Sequence, residues 1–339
     1  MLIKKDEKSK NKILKISGLY ITLIGILILL ILASLCVGSA GYSISEIIDV
    51  LFFGKEGFAK IVIFNLRLPR IVLAILIGAS LSVAGALLQA VMRNPLADPG
   101  TIGVSAGAGT AATTILLIFP NMMNSLPIFA FGGALLTCAL IYFMAWKQGI
   151  DPVRIILSGV AINSVLGAYN GLLQMLHSDN LSSILAFLNG SLSGRNWGHV
   201  KLALIYAIIG LTIAFACTKS ANVLQLGDEM AKSLGFKVSR HRIILSAVSA
   251  FLAAATVTVA GMIGFVGLVV PHIARMIVGS DHKVLLPTSC LIGSIVLLAA
   301  DTLGRTIIPG MEIPVGIVMA VTGGPFFLYL LRRSGKKCF

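Results

Sequence analysis

Apolar runs close to 20 residues long recur along most of the chain, separated by shorter polar stretches. A helix rises about 1.5 Å per residue, so about 20 residues match the roughly 30 Å hydrocarbon core of a bilayer. Strands of a membrane barrel alternate apolar and polar positions over about 10 residues, and these runs do not alternate. The pattern predicts an all-α polytopic membrane protein with about ten transmembrane helices. Their expected positions are about 17–37, 68–91, 101–119, 126–146, 153–176, 200–218, 243–261, 263–278, 284–304 and 313–331. The seventh and eighth are hardest to separate, because Gly261, Gly264, Gly267 and Pro271 interrupt one long apolar stretch.

The first run shows the energetics. Residues 16–38 carry no charge, and Ile21–Leu32 is nearly all Ile and Leu. At roughly 0.5 kcal/mol for each Ile or Leu, that stretch favours insertion by about 5 kcal/mol. A lysine-rich start precedes it, as in a signal peptide. It is longer than a signal h-region of about 7–15 residues, however, and is expected to remain as a span.

Small residues mark where helices approach. Ala74, Gly78, Ser82 and Ala86 fall every four residues in the second run, and Gly103, Gly107 and Ala111 do so in the third. In lipid this spacing lets backbones pack closely, where apolar contact alone drives no association. Three segments are neither spans nor short loops. Residues 182–192 are apolar but too short to cross, and read as a half-helix at the outer mouth. Residues 42–66 read as a longer outer loop. Residues of about 219–241 form the largest inner loop. Within it Leu226–Phe236 is helix-compatible, with acidic residues first and glycines at both ends. By pattern alone this is either a docking element or an ordinary amphipathic loop helix.

Composition agrees with the pattern. The chain is 57% hydrophobic and 12% charged, against about 25% charged residues in a soluble protein. The expected organisation is a basic tail (1–16), a single membrane domain (17–331) that includes the inner loop 219–241, and a second basic tail (332–339). The net charge of +14 lacks the aromatic interleaving of a nucleic-acid surface. Topology accounts for it instead. Ten spans put both tails on one side, and that side collects 20 of the 27 basic residues. The positive-inside rule then places both termini in the cytoplasm.

Candidate chemistry is sparse. No Walker A, HExxH or GxSxG pattern occurs, so catalysis by this chain is not expected. The five cysteines show no CxxC or Cys/His spacing. Four of them lie in apolar runs, so neither a disulfide, a metal nor a cofactor is expected. Asp301 is the one clear acidic residue within a span. Arg305 follows four residues later, which suggests a local ion pair. The alternative is a proton or ion site. With so few buried charges, a solute path without ion coupling is expected, its energy coming from a separate subunit. An ion-coupled secondary carrier stays open as the rival.

Several long stretches then resemble one family. They are RLPRIVLAILIGASLSVAGALLQAVMRNPLADPGTIGVSAGAG (67–109), LNGSLSGRNW (188–197), LGDEMAKSLGF (226–236), GMIGFVGLVVPHIARMIVGSDHKVLLP (261–287) and LAADTLGR with MEIPVGIVMAVTGGPFF (298–327). Together they are similar to FecCD-type permeases. These are the membrane subunits of type II ABC importers for ferric siderophores, haem and vitamin B12. The resemblance implies a ten-helix subunit of the bacterial cell membrane that dimerises, with an identical or homologous partner, around a central path. Its second-to-fifth and seventh-to-tenth helices are related as inverted repeats. Two cytoplasmic ATPase subunits supply energy, and an extracytoplasmic binding protein delivers the solute.

The resemblance also assigns roles by position. Arg67, Arg70 and Arg305 match outer arginines that pair with glutamates of the binding protein. Leu226, Gly227, Glu229, Ala231, Leu234 and Gly235 match the element that couples to the ATPase, with Met230 standing where alanine is usual. Asn94 and Leu96 match the inner gate, and Asn163, Ser164 and a break at Gly323-Gly324-Pro325 would line the path. A ferric siderophore is the expected cargo on family frequency. Haem and cobalamin remain alternatives.

Overall fold

The computed structural model describes residues 2–38, 41–147, 151–177, 181–308 and 310–334. Fifteen α-helices are present among them: α1 (Leu2–Cys36), α2 (Ile44–Phe52), α3 (Phe58–Ile61), α4 (Leu68–Met92), α5 (Val104–Ile118), α6 (Leu126–Ala145), α7 (Pro152–Leu176), α8 (Leu181–Leu188), α9 (Trp197–Ala216), α10 (Thr218–Gln225), α11 (Asp228–Ser233), α12 (Val238–Ala260), α13 (Val266–Val278), α14 (His282–Gly304) and α15 (Val315–Ser334). Among the described residues, seven helical stretches are long and apolar enough to cross a bilayer. Three shorter apolar helices, in α5, α13 and α15, complete the expected ten.

Helix α4 is the centre of the bundle. It is apolar all round, as a helix enclosed by others must be. It packs against α9, α12, α13 and α14. The small-residue spacing explains the closest of these contacts. A Cβ added at Gly78 would lie 2.2 Å from the Gly293 carbonyl oxygen on α14, and one at Gly293 would lie 2.3 Å from that of Gly78. One turn further on, Ser82 donates to the Ser289 carbonyl at 2.8 Å. Gly107 of α5 and Gly133 of α6 meet in the same reciprocal way.

The seventh and eighth spans separate at Gly261–Phe265, which is not helical. Bare backbone at membrane depth must find partners within the protein. The half-helix α8 and the turn after it supply them. Met262 N–H donates to Phe187 O at 2.9 Å and Ser191 N–H to Ala260 O at 2.8 Å, while the same turn accepts at Gly190 O from Gly316 N–H of α15 at 3.2 Å. This stitching leaves α13 only 13 residues long, about 20 Å of rise.

Two expectations change. Residues 42–66 are not a loop. Ser43 and Glu46 form a capping box that starts α2, and residues 58–67 are helical and run directly into α4, one of their turns being a π-helix at Val62–Arg67. Gly323-Gly324-Pro325 does not break its helix, since α15 continues through it. Gly323 instead lies against Phe265, whose Cβ would be 2.8 Å from an added Cβ. The lysine-rich start is continuous with the first span in α1, and residues 335–339 of the second tail lie outside the described residues.

Candidate functional site

Two polar clusters stand at opposite ends of α4. Arg70 and Arg93 are separated by 23 residues of sequence, about 35 Å of helix, which exceeds the roughly 30 Å hydrocarbon core. The clusters therefore serve opposite faces of the membrane.

The first cluster gathers the three sequence-predicted arginines around a cavity of about 610 Å³, with Glu312 and Gly38 also in its wall. Arg70 is 8% exposed and Asp301 is 1% exposed. The Arg70 Nε lies 3.0 and 2.9 Å from the two Asp301 oxygens, and its Nη2 lies 2.9 Å from Oδ1. Arg70 Nη1 also donates to Glu312 Oε2 at 2.8 Å. Arg305 Nε stands 3.5 Å from Asp301 Oδ2, and its Nη2 donates to Ser34 Oγ at 2.6 Å and Ser34 O at 3.1 Å. Arg67 donates to the Leu35 carbonyl, and its guanidinium carbon lies 5.0 Å from the centroid of the Tyr42 ring.

The expected local pair of Asp301 with Arg305 is thus present, but it is the longer contact. The main partner of Asp301 is Arg70, distant in sequence and brought close because α4 and α14 pack. Three guanidiniums face two carboxylates here, so the pocket keeps a net positive charge. Glu312 sits at its mouth, about half exposed. Burial raises the Glu312 pKa, but hydrogen bonds with Ser193 and Arg70 outweigh it and hold the carboxyl below its ordinary value.

The second cluster is built on α11. Gly227 (φ 99°) and Gly235 (φ 76°) bracket the helix with left-handed backbone, which glycine adopts without a Cβ clash. Ala231 is buried and anchors it. Leu226, Met230 and Leu234 are instead 55, 57 and 64% exposed. Together with Glu229 they present an apolar, acid-tipped surface beside a groove of about 690 Å³. Asp228 fastens this element to the bundle. Its Oδ1 lies 2.9 Å from Arg242 Nη2 on α12 and 3.7 Å from Arg93 Nη2 after α4. The preceding α10 is tied to the start of α14 by Asn222, which donates to Asp281 at 2.7 Å and accepts from the His282 N–H at 2.8 Å. Sequence reasoning passed over Asp228, Arg242 and Arg93, because no local spacing joins them.

The path candidates make separate local contacts. Asn94 accepts from the Leu96 N–H at 2.9 Å in a local turn. Leu96 is 39% exposed. Asn163 reaches from α7 to the Gly100 carbonyl at 3.2 Å, and its own Oδ1 is buried without a hydrogen-bond partner. Ser164 bonds back to Val160 O of its own helix at 2.8 Å. Among the described residues no cluster of His, Cys, Asp and Glu has the makings of a metal site.

Ten apolar helices among the described residues, with polar clusters at the two ends, define a multi-pass membrane protein. Comparison with known proteins gives the family: the FecCD transport family model matches residues 26–333, and the chain belongs to that family. It is 42% identical over 335 residues to the Fe(3+)-citrate import system permease protein YfmE of Bacillus subtilis, covering 98% of this chain and 99% of that one. It is 42% identical over 283 residues to the cobalamin import system permease protein BtuC of Halobacterium salinarum, covering 83% and 76%. Among solved structures, an inward-facing protein assigned to the metal-chelate type of ABC transporter superposes with a TM-score of 0.82 at 29% identity, covering 94% of this chain and 99% of that one.

Proposed function

We propose that this chain is the membrane-spanning permease subunit of an ABC importer that carries a ferric chelate, of the siderophore or citrate class, into the cytoplasm. The observation that carries the reading is the end-to-end match to a ferric-citrate permease, at 42% identity over 98% of the chain. The cobalamin relative matches at the same identity but over less of its own length, which ranks cobalamin second. Haem comes third. ATP is hydrolysed by two separate cytoplasmic subunits, and this chain itself is not an enzyme.

In this reading α11 seats in a groove on the ATPase through Leu226, Met230 and Leu234, with Gly227, Glu229, Ala231 and Gly235 setting its shape. Asp228 passes the ATPase motion to α12 and to the end of α4. At the other face Arg67, Arg70 and Arg305 meet carboxylates of the extracytoplasmic binding protein. A carboxylate arriving there competes with Glu312 for Arg70. Both termini are cytoplasmic, and a second permease subunit completes the path. Asn94 and Leu96 are at its inner gate, and Asn163 and Ser164 lie along its wall.

The test is reconstitution with the cognate ATPase and binding protein in liposomes. Radioiron delivered as ferric citrate or a ferric hydroxamate is expected to accumulate only with ATP inside and binding protein outside. Accumulation of cobalamin but no iron would reassign the cargo. Gradient-driven uptake by the chain alone would replace the importer reading with an ion-coupled carrier.

A further inference from the structure

A groove opens on the outside of the bundle between α6 and α12, with a volume of about 590 Å³. It exists because Ala139, Ala247 and Ala250 are small, while Phe143 and Ile243 at its edges are exposed bulky residues. The two hydroxyls within it, those of Tyr142 and Ser246, hydrogen-bond each other. Neither is therefore left seeking a polar ligand, and the lining offers an apolar chain nothing but apolar contact.

The dimensions of the groove select its occupant. Its α6 wall runs from Trp146 to Leu135 and its α12 wall from Ile243 to Phe251. Those stretches rise about 16 Å and about 12 Å. Half of the roughly 30 Å hydrocarbon core is about 15 Å, so the groove spans one leaflet and stops near the midplane. There it meets an aromatic cluster. Phe131 stacks on Tyr206 at 5.2 Å, and Phe251 stands edge-on to both at 5.7 and 5.8 Å. A partner's transmembrane helix would need a contact running the whole core, whereas a single lipid tail needs one leaflet.

The open end of the groove is cationic. Trp146 is 54% exposed, at the level where amphipathic rings favour the membrane interface. Lys147, next in the chain, is exposed, and so is Arg240, which lies one turn before Ile243 on the same helix face, beyond the end of the groove's α12 wall. Arg154 donates to the Lys147 carbonyl at 3.4 Å, which brings a third cation to this end. The first turn of α12 holds no acidic residue. Asp151, the nearest in sequence on the other side, is engaged in capping α7.

We propose that this groove binds a phospholipid with an anionic headgroup, one acyl chain lying between α6 and α12 and the headgroup meeting Lys147, Arg154 and Arg240. A zwitterionic lipid would fill the groove equally well but would leave the three cations uncompensated. The proposal needs only a bilayer, and stands apart from the identity of the cargo.

The experiment uses the full chain purified in mild detergent. Native mass spectrometry compares retention of phosphatidylglycerol and phosphatidylcholine with identical acyl chains. Wild type is expected to retain phosphatidylglycerol preferentially. A basic side chain at an anionic lipid surface contributes about fivefold in affinity, the equivalent of about 1 kcal/mol. Lys147→Gln with Arg240→Gln should therefore reduce the preference by roughly tenfold or more. Both residues are exposed, so this variant should keep its thermal midpoint. Ala247→Trp, which fills the groove, should lose both lipids while keeping the cations, and Ala247→Leu replaces it if the tryptophan variant does not fold. Equal retention of the two lipids by wild type would overturn the proposal. So would undiminished phosphatidylglycerol retention by a folded Ala247 variant, or capture of a second copy of the chain by a crosslinker placed at Ala247.

Discussion

Replacing Asp301 with leucine tests the reasoning behind the arginine pocket. Asp301 is 1% exposed and takes two short contacts from Arg70, at 2.9 Å through Nε and 2.9 Å through Nη2. Hydrogen bonds to charged groups contribute about 1.5–3 kcal/mol each. Breaking a buried pair by removing one partner typically costs about 3–5 kcal/mol, because the survivor stays buried with its charge. Glu312 still faces Arg70 at 2.8 Å and offsets part of that, so a loss near 3 kcal/mol is expected, at the low end of the range. Arg70→Met should cost a similar amount. The double variant should cost clearly less than the sum, since apolar residues of matching volume can replace a buried pair at little cost. Unfolding in mixed micelles titrated with SDS, followed by the fluorescence of Trp146 and Trp197, gives the three free energies. A single-variant loss under about 1 kcal/mol would refute the assignment of Asp301 as a structural anchor. A coupling energy under about 0.5 kcal/mol would refute the pairing itself.

Glu312→Gln should leave folding intact, because Glu312 is about half exposed, and should tighten association with the binding protein by freeing one edge of Arg70. Unchanged or weaker association in a pull-down titration would remove Glu312 as a competitor. The Glu312 pKa is held below its ordinary value, so its contribution to stability is complete above the ordinary carboxylate range. It is lost as pH falls through the lowered value. The acid limb of a stability profile should accordingly flatten in Glu312→Gln, and an identical acid limb would contradict this. If α11 couples to an ATPase as proposed, Asp228→Asn should preserve ATP hydrolysis by the assembled importer while lowering solute moved per ATP, and an unchanged ratio would contradict the proposed transmission through Asp228. Gly78→Ala forces a Cβ to 2.2 Å from a backbone oxygen of α14. It should cost about 1–3 kcal/mol as an overpacked contact, read as a lower thermal midpoint in nanodiscs.

Much of the fold was legible because a bilayer leaves few choices. A backbone in hydrocarbon must satisfy its own hydrogen bonds, so each apolar run long enough to cross had to be a helix. Position along the chain was enough to find α1, α4, α6, α7, α9, α12 and α14, and the four-residue spacing through Gly78 marked a true helix contact. The capping box of Ser43 and Glu46 was also visible, as a serine three residues before a glutamate, although residues 42–66 were read as loop. Residues 261–267 were ambiguous for a reason that lies outside them. The Met262 N–H and the Ala260 carbonyl beside it are satisfied by α8 and the turn after it, some 70 residues earlier, and no local pattern records such a partner.

The candidate site divides along the same line. Residue type and topology determined that arginines lie at one membrane face and a glycine-bracketed, acid-tipped helix at the other, since charge cannot rest unpaired in the hydrocarbon and basic residues sort by side. Only tertiary structure decided which charges meet. Asp301 had Arg305 one helical turn away and chose Arg70 from another helix, because the guanidinium on α4 brings two nitrogens to 2.9 Å from the carboxylate while Arg305 brings one to 3.5 Å. Asp228 likewise took partners from α12 and from the end of α4. Sequence spacing determines neighbours along one helix; the close packing of α4 against α12 and α14 determines neighbours between helices, and it sets the 2.9 Å contacts of Arg70 with Asp301 and of Arg242 with Asp228.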